Sequence, residues 1–117
     1  MPSRKISRIA VTALEDIKAR DITVFDVRKL TTLYDTLVIA TAESNRQVKA
    51  LAHHVRDKLK EAGATILGVE GEETGEWVLV DAGEIIVHIM QPAVRARRLA
   101  RGPELFEVVM RARAKAA

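Results

Sequence analysis

Two stretches of the chain carry apolar residues at the spacing of an amphipathic α-helix. The first begins by Ile6 and ends near Arg20, and the second can be capped by Ser44 or Asn45 and ended by Gly63. The apolar stripes consist of Ile6, Ile9, Ala10, Ala13, Leu14 and Ile17 in the first helix, and of Val48, Leu51, Ala52, Val55 and Leu59 in the second. Each predicted helix therefore has one face suited to a core.

Five short segments rich in β-branched residues predict strands, at residues 22–27, 36–41, 64–69, 76–81 and 84–90. Pro92 and Pro103 each stand where a further helix can begin. The order α-β-β-α-β-β-β-α indicates an α/β fold, a mixed sheet of about five strands with flanking helices. We assign residues 1–106 to this single domain and residues 107–117 to a basic C-terminal tail that can fray.

The last two predicted strands meet at a short turn, which fixes how their side chains divide between the two faces. A two-residue loop at Ala82 and Gly83 predicts three cross-strand pairs: Asp81 with Glu84, Leu79 with Ile86, and Trp77 with His88. The aliphatic face then consists of Val78, Val80, Ile85, Val87 and Ile89. The mixed face consists of Trp77, Leu79, Asp81, Glu84, Ile86, His88 and Met90.

Two interpretations of the mixed face stay open. If helices cover only the aliphatic side, the mixed face is a patch near solvent, ringed by carboxylates, which fits a protein partner with a basic rim. If another helix covers this side as well, Trp77 is an ordinary core residue.

The charges are distributed unevenly along the chain. The net charge is +3, but residues 1–8 carry +3, residues 91–117 carry +5, and residues 9–90 carry −5. Residues 70–84 hold six acidic and no basic side chains around the only tryptophan. This segment would repel phosphate and attract a basic protein.

Composition excludes several classes of protein. The chain has no cysteine, which excludes disulfides, thiolate metal sites and cysteine nucleophiles. It has no apolar run that could span a membrane and no apolar core of a secretory signal at its start. We therefore expect a soluble, cytoplasmic protein with no membrane partner.

The search for catalytic, metal and nucleic-acid motifs finds none that is specific. His53 and Asp57 have metal-compatible helical spacing, but an ordinary solvated helix face explains them better. Four nearby basic residues could grip RNA phosphates, namely Arg95, Arg97, Arg98 and Arg101, yet an aromatic content of 3% provides no base-stacking platform. We predict no catalytic residue, no metal site and no cofactor.

Six sequence pieces, in order and spacing, resemble the ribosomal silencing factor family, also called Iojap-like proteins. They are DITVFDV (21–27), DTLVIATA (35–42), SNRQV (44–48), GVEG (68–71), EWVLVD (76–81) and GEIIVHIMQ (83–91). The resemblance implies a fold similar to that of nucleotidyltransferases without their activity, because the paired-aspartate metal motif is missing and Asp35 stands alone.

The resemblance also implies a function. Members of the family bind ribosomal protein L-fourteen on the large ribosomal subunit and sterically block joining of the small subunit, which lowers protein synthesis under nutrient limitation. Such a mechanism requires no cofactor and no turnover, so we expect no enzyme activity. Dimers are known in the family, and a homodimer is therefore an expectation for this chain.

The resemblance assigns partner binding to residues of the mixed face and the acidic segment. The predicted partner-binding residues there are Glu70, Glu73, Glu76, Trp77, Leu79, Asp81, His88 and Met90. The match weakens after Gln91, where Arg95 fits the family pattern but Arg98 stands at the position of a family tyrosine. We also include Arg95, Arg98 and Leu99, and expect Leu99 and Phe106 to supply apolar contacts while the arginines reach ribosomal RNA.

Two alternatives come from other functional classes. One is a nucleotidyltransferase-like enzyme that uses Asp35, Asp81 and a divalent metal. The other is an RNA-binding adaptor that uses the arginine-rich C-terminal segment.

Overall fold

The computed structural model describes residues 3–98, which form three helices and five strands in the predicted order. The helices are α1 (Ser3–Asp16), α2 (Asn45–Glu61) and α3 (Pro92–Arg98). The strands are β1 (Arg20–Asp26), β2 (Thr36–Thr41), β3 (Gly68–Glu70), β4 (Trp77–Asp81) and β5 (Ile85–Met90). The helix predicted at Pro103 and the tail predicted at residues 107–117 lie outside the described residues.

The five strands form one mixed sheet in the order β1-β2-β5-β4-β3. The central strands β2 and β5 are parallel, and the other neighbouring pairs are antiparallel. After β2 the chain forms α2 and then re-enters the sheet through β3, β4 and β5, so that β5 lies parallel to β2. The sheet is therefore mixed and carries helices, as the predicted α/β class requires.

Two predicted boundaries are wrong by four residues, and local backbone geometry explains the first. Helix α1 ends at Asp16, short of Arg20, because Lys18 adopts a left-handed φ of 59° and the Ala19 N–H bonds back to the Leu14 carbonyl (3.0 Å). Residues 64–67 are a connection to β3, which begins only at Gly68.

The predicted register of the hairpin is also wrong, by two residues. The observed pairs are Trp77 with Met90, Leu79 with His88, and Asp81 with Ile86. The Ala82 N–H donates to the Ile85 carbonyl (3.0 Å), so the turn residues are Gly83 and Glu84, and Gly83 supplies the positive φ of 84°. A shift by two residues keeps every side chain on its predicted face.

The aliphatic face lies under α1 and α2. Val78, Val80, Ile85, Val87 and Ile89 all join the main core together with the apolar stripes of both helices. The Ser44 hydroxyl caps α2 by accepting the Gln47 N–H (3.1 Å), as the sequence predicts. Helix geometry and sheet alternation therefore converge on one core.

The mixed face is covered by the connection between β1 and β2 and by α3. The second core consists of Val27, Tyr34, Leu37, Ile39, Leu79, Ile86, Met90 and Val94, with Phe25 and Trp77 packed against it. This outcome supports the second interpretation for most of the face, while Trp77 is only half-buried at its margin. Within residues 3–98, no helix is long and apolar enough to cross a membrane.

Candidate partner-binding surface

Trp77 is held at the margin of the second core by His88. The indole Nε1–H donates to His88 Nδ1 (2.7 Å), and the two ring centroids lie 5.8 Å apart. An indole nitrogen can only donate, so Nδ1 must be the acceptor and the His88 ring carries its proton on Nε2 in this arrangement. His88 is fully buried. The hydrogen bond fixes the orientation of the half-buried indole.

Asp81 lies beneath the same face and connects two loops. Its Oδ2 accepts the Tyr34 hydroxyl (3.1 Å), and its Oδ1 accepts the Gly83 N–H (3.0 Å). Both partners belong to this chain. Asp81 therefore supports the connection before β2 and the turn after β4.

The described carboxylates do not converge on a metal site. Asp35 precedes β2, and its N–H donates to the Glu84 carbonyl (2.7 Å), while Asp81 is engaged by Tyr34 and Gly83. Within the described part of the chain, no group of three or more His, Cys, Asp or Glu side chains could hold a metal ion.

The segment at residues 70–76, which we name the acidic loop, starts at the last residue of β3 and leads to β4. Its acidic side chains are Glu70 and Glu72, which are half-buried, and Glu73 and Glu76, which are exposed. Glu70 Oε2 is buried and accepts no hydrogen bond from the described residues. The loop thus carries four carboxylates in the segment that leads to Trp77, and one of their oxygens has no donor among the described residues.

Two glycines give the acidic loop its path. Gly71 has a φ of 89°, and a Cβ at this position would collide with the Trp77 carbonyl oxygen. Gly75 has a φ of 70°, and a Cβ there would lie 3.0 Å from the Asn45 carbonyl oxygen. The loop packs closely against both β4 and the start of α2.

Gln91 and α2 anchor the acidic loop. The Gln91 N–H donates to the Glu76 carbonyl (3.0 Å), and its side-chain amide donates to the Gly75 carbonyl (3.2 Å) and to Asn45 Oδ1. His53 Nε2 lies 3.4 Å from Glu72 Oε2. In the sequence, Gln91 is only the end of the last piece that resembles the family, because nothing in a linear sequence indicates that its amide reaches the loop.

Arg95 has a structural contact set that the sequence does not reveal. Its guanidinium donates to the Asp21 carbonyl (2.6 Å), to Thr41 Oγ1 (2.9 Å) and to Thr23 Oγ1 (3.0 Å). These bonds tie α3 to β1 and β2. A role for Arg95 in partner binding remains a prediction beside this structural role.

The predicted binding residues thus fall into separate groups. Glu73, Glu76 and Trp77 reach the surface, with Glu70 half-buried between them and the sheet. Leu79, Asp81, His88 and Met90 are buried beneath, at no more than 4% exposure. Arg98 belongs to α3, and Leu99, Phe106 and Arg101 lie outside the described residues. A partner at this surface would meet the acidic loop and Trp77 first.

The fold and this surface define a class of protein: small mixed-sheet α/β domains that carry an acidic loop beside a half-buried tryptophan. The family model described as "Ribosomal silencing factor during starvation" matches residues 1–98. The chain therefore belongs to the ribosomal silencing factor family.

Named relatives agree with this assignment. The chain is 59% identical over 95 residues to Ribosomal silencing factor RsfS of Chromobacterium violaceum, covering 81% of this chain and 78% of the relative. It is 31% identical over 88 residues to the mouse protein named Mitochondrial assembly of ribosomal large subunit protein 1, covering 73% and 39%. A 36% identity over 84 residues to the maize protein named Iojap, chloroplastic, covers 72% and 36%.

Solved structures share the fold. A crystal structure of a Chromobacterium violaceum protein superimposes with a TM-score of 0.81 at 58% identity, covering 82% of this chain and 80% of the other. A second, from Bacillus halodurans, has a TM-score of 0.74 at 31% identity, covering 80% and 87%.

Proposed function

We propose that this protein binds the large ribosomal subunit through ribosomal protein L-fourteen and sterically blocks joining of the small subunit, lowering protein synthesis under nutrient limitation. Membership of the ribosomal silencing factor family supports the regulatory role. The mouse relative is named for assembly of the mitochondrial large subunit, which supports that subunit as the partner. The site of action is the cytoplasm.

The observation that carries this proposal is the acidic loop beside Trp77. Exposed carboxylates at Glu73 and Glu76 attract a basic protein surface and oppose a phosphate backbone. A basic side chain from the partner could also satisfy Glu70 Oε2, which is buried without a hydrogen-bond donor among the described residues. The loop therefore favours a basic protein over RNA as its direct partner.

Trp77 is the proposed anchor of the interface. Its ring is half-buried and oriented by His88, so little conformational freedom is lost when a partner covers the remainder. Tryptophan is enriched among the residues that dominate binding energy. The buried residues Asp81, His88 and Met90 act by supporting this anchor.

The mechanism is steric and uses no turnover and no cofactor. A domain docked on the joining surface of the large subunit excludes the small subunit by its volume alone. The enzyme alternative would need Asp35 and Asp81 as metal ligands, but both Asp81 carboxylate oxygens accept hydrogen bonds within the chain. A homodimer is a further expectation.

Co-sedimentation tests the proposal. Purified protein is mixed with separated large and small subunits and centrifuged through sucrose. We expect it to travel with large subunits alone, and to require L-fourteen when subunits lacking that protein are compared. Failure to travel with large subunits would contradict the proposal, and a thermal shift that depends on both metal and nucleotide would favour the enzyme instead.

A further inference from the structure

One flank of α2 carries basic residues along its whole length. Positions three and four apart share a side of a helix, and one such row consists of Arg46, Lys49, His53, Arg56 and Lys60. We name this row the α2 stripe. It extends over about 21 Å at 1.5 Å per residue, and none of its members belongs to the core.

The α2 stripe lies on the flank away from α1. The opposite flank contacts α1, where the Gln47 amide donates to the Ile17 carbonyl (3.2 Å) and His54 Nε2 lies 2.9 Å from Asp16 Oδ2. The stripe instead runs past the acidic loop, because His53 faces Glu72 and the Lys49 side chain lies against Gly75. The two oppositely charged features are neighbours on one surface.

Most of the positive charge in the stripe is available. Within residues 3–98, no ion pair involves Arg46, Lys49 or Lys60. Arg56 lies 3.3 Å from Asp57 Oδ1 and donates to His53 Nδ1 (2.9 Å), so its charge is partly compensated. Arg46 and Lys60 are thus exposed and Lys49 is half-buried, and none of the three has a carboxylate partner among the described residues.

The stripe also opposes a local preference of the helix. The positive end of a helix dipole favours acidic residues in the first turn, yet α2 has none there and carries Arg46 instead. Residues that break a local rule without a compensating contact are expected at functional sites. The helix dipole and the stripe add to a positive potential at this flank.

We propose that the α2 stripe is a second contact surface, which binds the phosphodiester backbone of RNA next to the protein that the acidic loop binds. This inference rests on the proposed docking to the large ribosomal subunit. A ribosomal surface places basic proteins beside RNA phosphates, and the neighbouring acidic loop and basic stripe are complementary to such a border.

The chemistry of the flank favours RNA over other anionic partners. Every large apolar residue of α2 is buried, namely Val48, Leu51, Val55 and Leu59, so the flank has no apolar face that could enter a membrane. A row of cations without aromatic or apolar members suits a regular row of phosphates, which are bound by charge and carry no sequence information. Contact with an acidic protein is the competing outcome of the test.

Charge-matched variants test the inference on intact large subunits. The stripe variant Arg46→Gln/Lys49→Gln/Lys60→Gln removes three charges from the flank. The control Lys5→Gln/Arg8→Gln/Lys29→Gln removes the same residue types, one arginine and two lysines, from exposed positions outside α2. Affinity for purified large subunits is measured by sedimentation over a series of salt concentrations, with circular dichroism melting to confirm folding.

We expect the stripe variant to lose about tenfold or more in affinity, and its log affinity to fall less steeply with log salt, by about two units, since each phosphate contact contributes up to about 0.9. The control should stay close to wild type. Equal losses in both triple variants would overturn the inference, because net charge alone would then explain the effect.

The kind of partner is read by cross-linking. The chain has no cysteine, so Lys60→Cys gives one position for a photoreactive maleimide. We expect the labelled protein to cross-link to ribosomal RNA on large subunits, and cross-links to protein alone would overturn the RNA assignment. If the wild-type protein does not bind large subunits, the proposed function fails as well. If it binds and the stripe variant binds equally, only the α2 stripe proposal fails.

Discussion

The two faces of the sheet are buried by different kinds of contact. The apolar residues that β2, β4 and β5 place under α1 and α2 are all aliphatic and fully buried. The opposite face mixes aliphatic residues with two polar pairs, Trp77 with His88 and Tyr34 with Asp81. Hydrophobic burial stabilises the first face without specifying much geometry, whereas hydrogen bonds orient individual side chains on the second. The second face is therefore suited to supporting a binding surface.

The largest expected effect is a loss of stability from a substitution in the core under α1 and α2. Leu51 is fully buried in α2, so Leu51→Ala should lower the free energy of unfolding by about 2 to 5 kcal/mol through lost burial and a residual cavity. Denaturant unfolding measures this change, and Ala50→Ser on the exposed side of α2 is the control. The folded fraction should still bind large subunits normally. A stability equal to that of the control would contradict the role of this core.

The next effect separates binding from stability on the second face. Trp77→Ala should weaken binding to large subunits by about 2 kcal/mol or more, because a central aromatic anchor is lost. Trp77→Phe keeps a ring but removes the N–H that His88 accepts, so it should give an intermediate loss. Both affinities come from sedimentation of variants that melt cooperatively. Unchanged affinity in folded Trp77→Ala would show that Trp77 has only a structural role in the core.

Smaller effects are expected from the acidic loop. Glu73→Gln and Glu76→Gln each remove an exposed charge, and each should weaken binding by less than about 1 kcal/mol, chiefly at low salt. Glu15→Gln, exposed on α1, is the charge-matched control. An equal loss in all three variants would indicate a non-specific charge effect and would weaken the case for a basic protein at the loop.

The smallest effect concerns pH and an ion pair remote from the proposed interface. Hydrogen bonds from the Arg28 side chain and backbone lower the pKa of Asp26 to about 2, from an ordinary value of 3.8. The lowered pKa means that Asp26 contributes stability above pH 3.8 and that this contribution disappears as pH falls toward 2. In Asp26→Asn, the melting temperature should therefore fall slightly less between pH 3.8 and pH 2 than in the wild-type protein. An unchanged pH dependence of the melting temperature would show that this exposed ion pair contributes nothing measurable to stability.

The sequence predicts the elements and the faces well because both depend on local periodicity. The stripes of α1 and α2 and the alternation in β4 and β5 appear directly as repeated apolar positions. The hairpin register is wrong because pairs shifted by two residues leave the same alternation, and only the turn geometry at Gly83 distinguishes them.

The cover of the second face could not be predicted, because it depends on contacts distant in sequence. Tyr34 reaches Asp81 across 47 positions, and Arg95 reaches Thr23 across 72. No local pattern indicates that these side chains meet. The acidic loop was visible as a charge cluster, but its anchoring by Gln91 follows only from the folded chain. Periodicity thus predicts which residues share a face, whereas tertiary contacts decide which of them a partner can reach.

A subunit-joining assay tests the central claim most directly. Purified large and small subunits are allowed to associate at increasing concentrations of wild-type protein or of Trp77→Ala, and the joined fraction is measured by light scattering. We predict that wild-type protein reduces joining to a low plateau, and that Trp77→Ala needs a concentration about 30-fold higher for the same effect. Unchanged joining at a saturating concentration of wild-type protein would contradict the account.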